Sequence, residues 1–177
     1  MKEYICGDGI PVIENYVYGN IVRNHKEPFA IRKGVFSLRE EPPFIELYAA
    51  RTLNGELCLQ PLMQDYPDFY EQYPPKPVRE IDLSKFFAID LKAFKKKLKR
   101  GSMRYKDQNG MPILEGVDLC DRGGSNRVGK RNGKLGLLQE SIVWNEEWFM
   151  PLDELNLKEL TVHNIPLKLY VEGNKNG

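Results

Sequence analysis

Asn54-Gly55 stands between two β-prone runs, residues 44–53 and 56–62, and this constrains the fold more than anything else in the chain. A type I′ turn needs a positive φ at both central residues, and Asn-Gly supplies both at little steric cost. Such a turn sends the chain straight back, so the two runs are expected as antiparallel neighbours. Asn109-Gly110 and Asn132-Gly133 repeat the signal more weakly. The first lies between residues 103–105 and 111–114, the second between a glycine-rich stretch and Leu135-Gly136-Leu137-Leu138.

Further strands are expected at residues 10–13 and 16–18, at 29–38 with a break at Gly34, and at the C-terminal end. There Ile165, Leu167, Leu169 and Val171 alternate with Pro166, Lys168 and Tyr170, the period of a half-buried strand, and Pro166 would suit an edge. Helical signals are few. Asp90 is placed to cap residues 91–100, where Leu91, Phe94 and Leu98 form one apolar stripe between lysines and Gly101 stops the helix. Shorter turns are expected after Asp82 and around residues 152–155. The expected fold is α+β, predominantly antiparallel β-sheet with β-hairpins and one or two short helices.

A chain of 177 residues with 41% hydrophobic and 29% charged side chains is long enough to bury roughly 70% of its unfolded surface in one core. Residues 1–177 are therefore read as a single domain. Four prolines between residues 67 and 77 exclude a regular helix or central strand there, so residues 65–77 are a linker or surface loop. No internal repeat is read from the residues. Cys6, Cys58 and Cys120 are odd in number and widely spaced, which fits neither a disulfide framework nor a structural zinc site. The N-terminal residues lack an apolar h-region and no run is long enough for a membrane span. The expectation is a cytoplasmic chain with no membrane partner, no metal and no cofactor.

Charge is unevenly spread. Residues 92–134 carry 13 Lys/Arg against 4 Asp/Glu, while the segments on either side are both net acidic. Such a field attracts phosphates or an acidic protein surface. The anion-binding candidates are Lys95, Lys96, Lys99 and Arg100 on the helix, with Arg122, Arg127, Lys130, Arg131 and Lys134 in the glycine-rich stretch. Residues 124–130 match the G-x-x-x-x-G-K pattern of a phosphate-binding loop. Arg131 stands where Ser or Thr should hold magnesium, and Asn132-Gly133 breaks the helix that should follow. What remains is a flexible basic loop with backbone N–H groups available to an anion.

Asp90 and Lys92 give the acid-x-Lys ending of some metal-dependent nuclease strands, with Asp82 or Asp68 as a second carboxylate. Helix capping explains Asp90 without a metal. His25 and His163 have no second ligand at metal spacing. The favoured reading is a non-catalytic binding protein whose basic helix and glycine-rich basic loop engage a polyanion such as nucleic acid, or an acidic protein, in an inhibitor or immunity-type role. The alternatives are a metal-dependent nuclease or other phosphodiester-acting enzyme using Asp82, Asp90 and Lys92, and a structural or assembly subunit.

Overall fold

The computed structural model describes residues 2–22, 26–32, 35–40, 43–62, 74–99, 101–121, 124–141 and 146–170. The strands are β1 (Val17–Val22), β2 (Lys26–Arg32), β3 (Val35–Glu40), β4 (Phe44–Leu53), β5 (Glu56–Pro61), β6 (Lys76–Pro77), β7 (Phe86–Ala88), β8 (Asp118–Asp121), β9 (Gly124–Arg131), β10 (Lys134–Ser141), β11 (Glu146–Pro151) and β12 (Thr161–Pro166). Ten of them form one antiparallel sheet, along the path β11-β10-β9-β8-β12-β4-β1-β7, with β5 on β4 and β6 on β5; β2 and β3 form a separate ribbon. Among the described residues, α-helix α1 (Leu91–Lys97), a helical turn at 167–170 and short 3-10 turns complete the fold. It is the α+β, mostly antiparallel architecture the sequence implies.

The turn chemistry works as expected at two places. Asn54 and Gly55 have φ of 51° and 79°, and Asn132 and Gly133 of 50° and 77°, so β4–β5 and β9–β10 are both tight hairpins. Asn109-Gly110 differs: Gly110 has φ 73°, but a single bridge, Lys106 to Pro112, flanks the turn. The amides of Asn109 and Met111 donate to the Asp107 carboxylate, so a side chain replaces the strand ladder there.

Asp90 caps α1 by accepting from the Ala93 amide at 2.9 Å. The helix is shorter than expected because Leu98, its C-cap, has turned to extended backbone. Phe94 is buried on its inner side, a contribution of about 1.5–3 kcal/mol. At the other end the expected strand over 165–171 ends early, and Val171 lies outside the described residues. β12 stops at Pro166 and residues 167–170 are helical. Leu167, Leu169 and Tyr170 all pack against the core, a placement the short alternating run could not distinguish from a strand. Nor is Pro166 on an edge, since β12 lies between β8 and β4; it is the last residue of its strand, opposite Phe44. The expected loop over 65–77 mostly lies outside the described residues.

The chain does contain a repeat. Residues 5–18 and 106–119 share Gly9/Gly110, Pro11/Pro112 and Glu14/Glu115, followed by the positive-φ pair Asn15 (67°) and Gly116 (94°). Their hydrogen bonds recur. The Cys6 amide donates to Ile10 O and Asp107 to Met111 O; Asn15 donates to Ala50 O and Gly116 to Val128 O; Gly7 donates to Phe86 O and Gln108 to Leu160 O. Strand pairing recurs too: β6-β5-β4-β1-β7 in repeat 1 has the connectivity of β11-β10-β9-β8-β12 in repeat 2. The buried cluster of repeat 1, Cys6, Val12, Tyr18, Ala50, Leu59, Val78 and Phe86, corresponds position by position to Asp107, Ile113, Leu119, Val128, Leu137, Leu152 and Leu160, all buried. The repeats join where β12 pairs β4, Ile165 opposite Ile45, with both side chains fully buried. Beside this seam the Phe94 and Tyr170 rings meet at 5.3 Å.

Candidate binding surface

The glycine-rich stretch is not a flexible loop but strand β9 and the start of β10. Gly129 and Gly136 are required by close packing. A Cβ on Gly129 would overlap Leu138, and one on Gly136 would stand 2.5 Å from Met150 O and 2.6 Å from the Phe149 ring. Both side chains therefore lie flat over glycine backbone. The Arg131 guanidinium sits over the Phe149 ring, 5.4 Å from its centroid, a cation–π contact.

Because the fold is duplicated, the β4–β5 hairpin serves as an internal control for β9–β10. Arg131 pairs with Lys134 as Leu53 pairs with Glu56, and both hairpins turn on Asn-Gly. Thr52, Leu53 and Glu56 in repeat 1 thus answer to Lys130, Arg131 and Lys134 in repeat 2. All three cations are exposed. The same turn geometry forms with Thr52, Leu53 and Glu56 in their place. Next to this tip, on β11, Trp148 and Met150 are 63% and 50% exposed on the strand that ends the sheet path.

The remaining candidates are placed differently. Arg127 is committed to the strand: its Nε donates to Asp118 Oδ1 at 2.8 Å and its Nη2 to Oδ2 at 3.2 Å. Lys95 on α1 lies against the 107–110 turn, its ammonium 3.5 Å from the position a Cβ on Gly110 would take. Lys96 and Lys99 are exposed. Arg100 and Arg122 lie outside the described residues. Helix α1 follows β7, at one end of the strand path, and the hairpin belongs to the other end.

Asp82 accepts from the Ser84 amide and hydroxyl; the hydroxyl, then the amide, hold its carboxyl below the ordinary range. It caps a 3-10 turn as Asp90 caps α1. Lys92 is exposed on the helix, and Asp68 lies outside the described residues. Among the described residues no three His, Cys, Asp or Glu gather as a metal site would need, and no helix is long and apolar enough to cross a membrane.

A polar cluster went unread in the sequence. Asn164 Nδ2 donates to Asp118 Oδ2 at 3.1 Å, joining the Arg127 ion pair, at a register shift between Val162 and Asn164. His163 lies in that bulge, where burial, chiefly, and the Arg127 charge lower its pKa while Asp118 raises it. Repeat 1 has Val17 and Ala49 where repeat 2 has Asp118 and Arg127. Aligning residues 5–18 with 106–119 would have exposed the Val17/Asp118 mismatch. Comparisons with protein-family models, curated proteins and solved structures find no match.

Proposed function

We propose that the chain is a non-catalytic binding protein that engages an acidic protein surface through the tip of the β9–β10 hairpin, in an inhibitor or immunity-type role. One observation carries this reading: the same hairpin is built twice, and Lys130, Arg131 and Lys134 stand only on the second copy. Their charge is not needed to make the turn, and all three side chains are exposed where a partner could reach them. Arg131, braced over Phe149, has lost part of its side-chain entropy before binding. Exposed Trp148 and Met150 supply the residue types that anchor protein interfaces. An acidic partner would be steered to the tip by long-range attraction. Three cations at a hairpin tip suit a protein patch better than duplex DNA, whose specific binders commonly neutralise about 6–10 phosphates.

The experiment gives the second hairpin the first one's residues, Lys130→Thr, Arg131→Leu and Lys134→Glu together, and titrates both proteins with polyglutamate and with a duplex DNA. The reading predicts that polyglutamate binds the parent chain and loses at least about tenfold in affinity, roughly 1.4 kcal/mol, in the triple variant. Tighter binding of duplex, with a steep fall in affinity as salt rises, would contradict it in favour of nucleic acid. Unchanged polyglutamate affinity would remove the hairpin from the account.

A further inference from the structure

Duplication leaves the two repeats with unequal surfaces at matching positions. In repeat 2, Met111 and Val117 are 1% exposed and Leu114 packs against the same buried cluster, which also contains Phe94 and is joined by Leu91 and Leu98. Their counterparts in repeat 1 are Ile10, Ile13 and Tyr16, exposed at 43, 55 and 38%. Ile5 beside them, bridged to Pro11, is half exposed at 50%. The backbone of the two turns is the same, so the difference lies in what covers them. Over the repeat 2 turn lies α1, with Lys95 against Gly110 and its charge acting on the Asp107 carboxylate.

We propose that the face of repeat 1 formed by Ile5, Ile10, Ile13 and Tyr16 is a docking site for a short, lysine-flanked amphipathic helix of a partner protein. Repeat 2 of the same molecule supplies the structural precedent, and the charge of repeat 1 complements it. The helix that occupies the equivalent region of repeat 2 presents Leu91 and Phe94 among lysines, and Leu98 follows at its C-cap. The repeat 1 face carries the complement: exposed Glu3, Asp8 and Glu14, against Lys2 as the one cation between residues 2 and 17. An apolar centre with an acidic border recognises a helix by its i, i+3 and i+7 apolar anchors and its basic flank. A second copy of this chain is the poorer occupant. Its α1 is held against its own repeat 2, and its residues 167–170 bring a single lysine, Lys168, and pack Tyr170 on Phe87 and Phe94. This site is independent of the cationic hairpin and of the function proposed for it.

The probe is a synthetic peptide with the sequence of residues 90–99, titrated into the full chain while backbone amide shifts are followed by NMR. Shifts are expected at Ile5, Ile10, Ile13 and Tyr16 with a dissociation constant of order 0.1–1 mM. They should disappear when the peptide carries Phe94→Ala, and when the protein carries Ile10→Ser with Ile13→Ser, exposed positions whose loss leaves the dispersed spectrum of the folded chain intact. The Lys130→Thr, Arg131→Leu, Lys134→Glu variant should bind the peptide unchanged. Absence of shifts at about 2 mM peptide, or shifts that survive Ile10→Ser with Ile13→Ser, would overturn the proposal. Sedimentation showing a concentration-dependent dimer that those two serines dissolve would overturn it too, by assigning the face to a second copy.

Discussion

Asp118 shows how much one residue can differ between two otherwise matched positions. Its repeat 1 counterpart is Val17, yet in repeat 2 the carboxylate holds Arg127 through two hydrogen bonds and Asn164 through a third. The pair is only partly shielded, with side-chain exposures of 26% and 12%. Removing one partner leaves the other charge still largely shielded from water. Asp118→Ala should therefore cost about 3 kcal/mol in urea unfolding, whereas exchanging both Asp118→Val and Arg127→Ala, the residues of repeat 1, should cost markedly less. His163 gives this neighbourhood a pH signature. Its folded pKa lies below the ordinary 6.5, so the unfolded chain takes up the proton first and stability falls as pH drops below about 6.5. His163→Gln should flatten that slope; an unchanged slope would place the titration elsewhere. The thiols are inert for a related reason. Cys6, Cys58 and Cys120 are buried, and burial, with Asp8 nearby, pushes the Cys6 thiol up to about 11. Native protein should react with a thiol reagent at none of the three on the timescale of minutes, and at all three once denatured.

At the scale of elements, what could be read in advance was what local chemistry decides. Asn-Gly at two hairpins and aspartate at the start of α1 act within a few residues, and their consequences appeared where expected. Asp90→Ala should destabilise by about 1 kcal/mol, while Asp90→Asn, an equally good cap, should be nearly neutral; a metal ligand would lose function in both. The glycine-rich stretch was misread because its reason is non-local. Gly129 and Gly136 are small for the sake of Leu138 and Phe149, and nothing within residues 124–136 reveals that Phe149 will lie overhead. Gly136→Ala should cost about 1–3 kcal/mol by displacing Phe149 and the β11 backbone, a loss a flexible loop would not show. The C-terminal run failed for the opposite reason. Alternation over so few residues fits a strand or a helical turn, and tertiary packing of Leu167, Leu169 and Tyr170 decided it.

Across the whole molecule the repeat was hidden because its spacing changes along the chain, from 101 residues at Tyr18/Leu119 to 78 at Leu59/Leu137 and 74 at Val78/Leu152. The β2–β3 ribbon is inserted between β1 and β4, where repeat 2 passes almost directly from β8 to β9, and β12 carries the bulge at His163 that β7 lacks. Short matches such as Gly-x-Pro-x-x-Glu at 9–14 and 110–115 and Pro-x-x-Glu-x-x-Leu at 77–83 and 151–157 keep their register, but each is too short to stand out. The candidate site suffered similarly: the excess of cations in residues 92–134 was visible, but which cations the fold itself consumes was not. Arg127 closes an ion pair and Lys95 rests on a turn, while Lys96 and Lys99 on the helix and the three cations of the hairpin tip face outward. Because β4–β12 pairing and the Phe94–Tyr170 contact tie the repeats together, slowly exchanging amides of both should lose protection in one transition, and Ile165→Ala should lower protection in both by about 2–5 kcal/mol. The central claim is that function resides where the two hairpins differ, and one spectrum can test it. In a polyglutamate titration followed by amide shifts, residues 130–134 are predicted to move while the matching residues 52–56 stay fixed. Equal shifts at both tips, or none at 130–134, would contradict the account.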